Sequence, residues 1–70
     1  MTYSEQLKHQ RIQANLTQTE LSKATGISQQ SLSDWENNKN SPSIENCIIL
    51  ADFYGISVDE LIGHEIKKNW

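Results

Sequence analysis

Apolar residues along the chain recur three and four positions apart, and no stretch alternates apolar with polar residues over a useful length. The first spacing gathers side chains on one face of a helix, whereas alternation would gather them on one face of a strand. The pattern predicts an all-α fold. Ser4 is placed to cap a first helix over about 4 to 14, with Leu7 and Arg11 on its stripe and Asn15 as a left-handed terminator before Leu16. Thr17 and Glu20 stand three apart, the spacing of a capping box, and predict a second helix over about 18 to 25. Gly26 stops it, because the turn there calls for a positive φ.

Ser28 caps a third helix, about 29 to 37, carrying Leu32, Trp35 and Glu36; Ile27 before the cap is placed to staple against Leu32. The longest loop follows, Asn37 to Ser43, and holds the single proline, Pro42. Ser43 caps a fourth helix with Ile44, Cys47, Ala51 and Tyr54 on its inner face, ended by Gly55, and Ser57 caps a short fifth helix around Leu61. The expectation is a compact five-helix domain spanning 1–70, with a core over 4–62 and a polar tail over 63–70. A chain of 70 residues has material for one small core and no second.

Charge changes the picture. The formal net charge is −3, but its distribution is uneven. Residues 1–43 balance Lys8, Arg11, Lys23 and Lys39 against Glu5, Glu20, Asp34 and Glu36, and all the excess acid lies in residues 44–70. An acidic chain is not the composition expected of a polyanion binder. If it has such a face, that face belongs to the first part with the acidic remainder turned away, and long-range attraction is weak. One cysteine, no apolar run long enough for a bilayer and no secretory pattern together point to a cytoplasmic location.

The second helix, the turn Gly26-Ile27-Ser28 and the third helix are two short helices joined by a glycine-bearing turn, the arrangement of a helix-turn-helix. The residues become specific when read together: Leu16-Thr17-Gln18, Glu20-Leu21, Gly26-Ile27-Ser28, Gln29-Gln30-Ser31-Leu32, Trp35-Glu36-Asn37, Pro42-Ser43 and Gly55-Ile56-Ser57-Val58-Asp59-Glu60-Leu61. Over residues 7 to 62 this resembles the Cro/CI family, the lambda repressor-like helix-turn-helix transcriptional regulators. The resemblance implies sequence-specific binding of a double-stranded DNA operator, as a repressor, with the third helix in the major groove.

Residue by residue, the resemblance implies that Gln18, opening the second helix, donates to a phosphate, where unpaired first-turn amides add partial positive charge. Base contact falls to Ser28, Gln29 and Gln30 at the start of the third helix, with Ser33 and Asp34 a turn later. A glutamine amide accepts from adenine N6 and donates to N7 at once. Asp34 is out of keeping beside phosphates unless it accepts from a cytosine amine or turns outward. Thr17, Asn37, Asn38, Lys39, Asn40 and Ser43 are the further phosphate candidates, through side chains and loop amides. Asn38 also stands where the family often has glycine, and asparagine tolerates the left-handed conformation. Arg11 and Glu36 occupy the positions of a structural ion pair, and Trp35 is expected in the core. Ser22 and Thr25 depart from the family's apolar choices and are expected to bond back to carbonyls one turn earlier.

Catalysis is not expected, since His9, His64 and Cys47 have no spacing that makes a nucleophile and base or a metal site, and no cofactor or small-molecule ligand is implied. The competing reading is a protein-binding module on the same fold, antitoxin-like or inhibitory, which the acidic balance favours. A homodimer is expected, because one such domain offers few contacts for specific affinity. Its expected surface is the fifth helix and the segment after it, including Ile62, Ile66 and Trp70, with Val58 and Leu61 in the monomer core; Ile48, Ile49 and Phe53 widen the apolar face of the fourth helix.

Overall fold

The computed structural model describes residues 2–62. Five helices follow one another: α1 Tyr3–Gln13, α2 Gln18–Thr25, α3 Gln29–Glu36, α4 Ile44–Tyr54 and α5 Val58–Ile62. No strand occurs among the described residues, and the tail 63–70, with Ile66 and Trp70, lies outside them.

Local chemistry accounts for the boundaries. At α2 the Thr17 hydroxyl accepts from the Glu20 amide and the Glu20 carboxylate accepts from the Thr17 amide, which satisfies two of the donors a helix start leaves open. Gly26 ends the helix at φ +80°, its amide donating to Ser22 O. Ser28 and Ser43 cap α3 and α4 through bonds from the Ser31 and Asn46 amides. Gly55 closes α4 at φ +70°. Asn15 adopts φ +60°, as its place after α1 predicts.

Three expectations need correction. The cap of α1 is Thr2, in a reciprocal box with Glu5, so α1 begins earlier than a Ser4 cap would allow. Ser4 is instead a buried helical residue whose hydroxyl donates to Asn38 Oδ1 at 3.3 Å. Helix α3 ends at Glu36 with Asn37 as its C-cap, one residue short of the expected end. On α4, Ile44 is 71% exposed and Leu50 takes its place in the core at 1%. With about 100° of turn per residue, Leu50 and Ile44 flank Cys47 by similar angles. Ile44, however, is the first residue of the helix and overhangs the packed region. The box between Ser57 and Glu60, which starts α5, goes beyond the single cap read at Ser57.

The core is one cluster of Leu7, Leu21, Ile27, Leu32, Trp35, Cys47, Leu50, Ala51 and Leu61, with Tyr3, Leu16, Tyr54, Ile56, Val58 and Ile62 packed against it. Every helix supplies at least one member, so α1 packs on α3 and α5, α2 on α3 and α4, and α4 on α5. This brings α2 and α3 together with the outer side of α3 left uncovered.

Candidate nucleic-acid interface

Leu32 and Trp35 hold α3 down on the core. Gln29, Gln30, Ser33 and Asp34 then occupy a sector of about 140° on the opposite side, from the 3.6-residue period of the helix. Gln29 and Gln30 are exposed, Ser33 and Asp34 half-buried. Two of these side chains are tied. Gln30 Nε2 donates to Asp34 Oδ1 at 2.9 Å, and the Thr19 hydroxyl of α2 donates to Gln29 Oε1 at 3.2 Å. The ties draw on different helices, so the two glutamine amides are held independently.

The remaining base candidates are turned toward the helix itself. The Ser28 hydroxyl accepts from the Ser31 amide and donates to the Ser31 hydroxyl at 2.8 Å. Ser33 offers its carbonyl and hydroxyl oxygens to Asn37 Nδ2. Both serines shape the ends of α3, and the outward amides are those of Gln29 and Gln30.

Beneath this edge lies a charged network. Arg11 Nε and Nη2 pair with the two Glu36 oxygens at 2.8 and 2.9 Å, and Arg11 Nη1 donates to Leu16 O at 2.8 Å. The two side chains are only 12% and 5% exposed. A forked guanidinium matches a carboxylate in this geometry, so the pair locks α1 and the α1–α2 loop to the end of α3. Hydrogen bonding to Glu36 raises the Arg11 pKa further above its ordinary value, and the guanidinium stays charged throughout. Gln18 Nε2 donates to Glu36 Oε1 at 3.2 Å, which leaves the amide's second N–H available at the start of α2. Thus the same ion pair that braces the fold also positions the side chain assigned to a phosphate.

The loop after α3 is more internally committed than the resemblance implied. The amides of Asn37, Asn38 and Lys39 donate to the carbonyls of Ser33, Trp35 and Asp34, so these three amides are already spent. They close the end of α3, whose carbonyls would otherwise be open. Asn38 sits at φ +61° and its side chain holds Ser4, a structural role on both counts. The Tyr3 hydroxyl donates to Asn40 O at 3.0 Å, fixing the loop to α1. This anchor was not read from the sequence. Asn37 and Asn38 are exposed but their side chains are bonded within the domain. The loop's exposed side chains open to a ligand are therefore those of Lys39, Asn40 and Ser41, with the Thr17 and Ser43 hydroxyls engaged as caps but still able to donate.

Thr25 bonds back to Leu21 O at 2.8 Å as expected, and among the described residues only Thr25 of the pair with Ser22 does so. Burial pushes the Cys47 thiol above its ordinary pKa, which makes it a poor nucleophile. Among the described residues no group of three His, Cys, Asp or Glu side chains could hold a metal, and no helix is long and apolar enough to cross a membrane.

Residues 7–61 match the family model described as Helix-turn-helix, over most of the chain. The chain belongs to the helix-turn-helix family, in its Cro/CI, lambda repressor-like form. Family relatives include the cryptic phage CTXphi transcriptional repressor RstR of Vibrio cholerae, 38% identical over 90% of this chain and 56% of RstR. Another is the HTH-type transcriptional activator BcrR of Enterococcus faecalis, 32% identical over 93% of this chain and 32% of BcrR. The chain thus spans about a third to little more than half of these relatives. Among solved structures, the P22 c2 repressor in complex with a synthetic operator superposes with a TM-score of 0.82 at 26% identity, over 93% of this chain and 98% of the repressor.

Proposed function

We propose that this helix-turn-helix domain binds double-stranded DNA sequence-specifically as a cytoplasmic transcriptional regulator, a repressor, with α3 in the major groove. The observation that carries the reading is the outward sector of α3, where Gln29 and Gln30 are exposed and each is braced by a neighbour. An amide held in place on a rigid helix loses little freedom when it meets a base edge, and a bidentate contact to adenine discriminates by roughly 1–3 kcal/mol. The likeness to an operator-bound repressor at near-full coverage supports DNA binding by this fold. Gln18, Lys39, Asn40, Thr17 and Ser43 then supply phosphate contacts that set register and carry no sequence information.

The domain acts as a symmetric dimer on two half-sites about one helical turn apart. Helix α5 has given Leu61 wholly and Val58 partly to the core, whereas α4 exposes Ile44, Ile48, Ile49 and Phe53. Of the described surface, the dimer contact is assigned to α4, where Ile44 with Ile48 and Ile49 with Phe53 make two exposed apolar strips separated by Glu45 and Asp52. The segment after α5, the other expected surface, lies outside the described residues. Selection of binding sites from random duplexes tests the reading. A defined motif should emerge, and Gln29→Ala and Gln30→Ala should each erase preference at particular positions while melting unchanged. Uniform weakening at every position would make these residues backbone contacts and remove the direct reading.

The acidic balance favours a protein-binding role on the same fold. It predicts that no duplex is retained selectively and that salt has little effect, the opposite of the operator reading.

A further inference from the structure

Asp34 looks like a liability on a face meant for a polyanion, yet it is bonded in a way that constrains its neighbour. Gln30 and Asp34 are four residues apart, one turn of α3, and their bond of 2.9 Å runs from Gln30 Nε2 to Asp34 Oδ1. A carboxylate oxygen has no proton to give, so this bond forms with only one way round of the amide. The NH2 group faces Asp34 and Oε1 is left outward. Gln29 is held differently. Its partner is the Thr19 hydroxyl, which can donate or accept, so that amide keeps both orientations. The Asp34 backbone is fixed as well, its carbonyl accepting from the Lys39 amide at 2.8 Å at the end of α3.

The pair therefore presents to the groove the Gln30 acceptor, the remaining lone pairs of Asp34 and one leftover N–H. An acceptor-rich patch needs donors opposite it. On the major-groove edges of bases those donors are the amino groups, adenine N6 and cytosine N4, while guanine and thymine place acceptors at the equivalent sites. Acceptor against acceptor in a desolvated contact leaves two groups unpaired, which is costly. Adenine also offers N7 to the leftover N–H, an advantage cytosine lacks.

Resting on the DNA-binding reading above, we infer that Asp34 is a positioning residue that fixes the Gln30 amide to read an amino-bearing base. Adenine is preferred and cytosine tolerated, with guanine and thymine rejected at one position of each half-site. The negative charge lowers attraction to every duplex alike, and that loss is exchanged for selectivity at this position.

Sites selected by the wild-type domain and by Gln30→Ala, Asp34→Asn, Asp34→Ala and Asp34→Glu test this, with melting curves to verify the fold. The position lost in Gln30→Ala should favour adenine or cytosine by about tenfold or more in the wild type. Asp34→Asn and Asp34→Ala should bring that preference within about twofold while raising affinity for all duplexes. Both remove the charge, alanine removes the acceptor, and asparagine, which donates as well as accepts, lets the Gln30 amide sit either way round. Asp34→Glu, which still only accepts, should retain it. An unchanged preference in Asp34→Asn, or guanine or thymine at that position in the wild type, overturns the inference while leaving DNA binding intact. A wild-type domain that selects no base anywhere overturns both.

Discussion

Tyr54 packs against the core with a hydroxyl that is shut off from solvent and has no hydrogen-bond partner. Burial, helped by the Glu36 charge, pushes its pKa up to about 12 from 10. A phenol that holds its proton longer in the folded than in the unfolded chain contributes stability that is complete below pH 10 and is lost as pH rises toward 12. Tyr54→Phe should remove this alkaline loss, and at pH 7 should leave stability equal or slightly higher, because no stranded polar group remains. Melting curves of both proteins between pH 8 and 12 check it; parallel alkaline profiles would contradict the assignment.

Arg11 behaves in the opposite sense, since Arg11→Ala strands the Glu36 carboxylate in a nearly closed site and should cost about 3–5 kcal/mol. Gln18→Ala should cost far less stability, as its bond to Glu36 is a single long one, and should weaken all duplexes evenly. Chemical denaturation beside binding titrations separates the two. Such roles were legible unequally. The Arg11–Glu36 pair came through family resemblance, whereas Ser4–Asn38 and Tyr3–Asn40 join residues more than thirty positions apart with no local signal.

Helix boundaries were the most readable feature, because a cap is a bond between near neighbours in the chain. Thr17 with Glu20, Gly26, Ser28, Ser43 and Gly55 each act where the sequence puts them. The start of α1 was misplaced although Thr2 and Glu5 stand at box spacing, since Ser4 competes as a capping residue and only packing against Asn38 decides between them. The cost of these devices can be measured. A Cβ at Gly26 would meet nothing within 4 Å, so Gly26→Ala is penalised by its φ of +80° alone, by about 1 kcal/mol. Thr17→Ala should lose a similar amount through the broken box, about 1 kcal/mol. Urea titration of both variants gives the values; a neutral Gly26→Ala would mean the turn relaxes.

For the whole molecule, charge and assembly decide how DNA binding would work. Of the described cations Arg11 is spent on Glu36, which leaves Lys8, Lys23 and Lys39 for phosphates. Three lysines give a slope of log affinity against log salt no steeper than about −3 per subunit from these residues. Within the described residues, the proposed function then rests its affinity mainly on amide contacts and on the proposed pairing of subunits. Ile48→Asp on the exposed α4 face should keep the fold, weaken self-association in sedimentation at tens of micromolar and reduce operator affinity. A wild-type domain that remains monomeric with and without DNA would contradict the dimer. The sequence marks Ile48, Ile49 and Phe53 as surplus apolar residues and places Leu61 in the core, and the structure agrees on both. The exposure of Ile44 is what helical spacing alone did not give.

The most direct test is the ratio of Kd values for a shuffled duplex and a selected duplex of equal length, at about 150 mM salt. The account predicts a ratio of about a thousand or more, collapsing when Gln29 and Gln30 are both replaced by alanine in a domain that still melts cooperatively. Equal affinity for the two duplexes, at this salt and at low ionic strength, would contradict it.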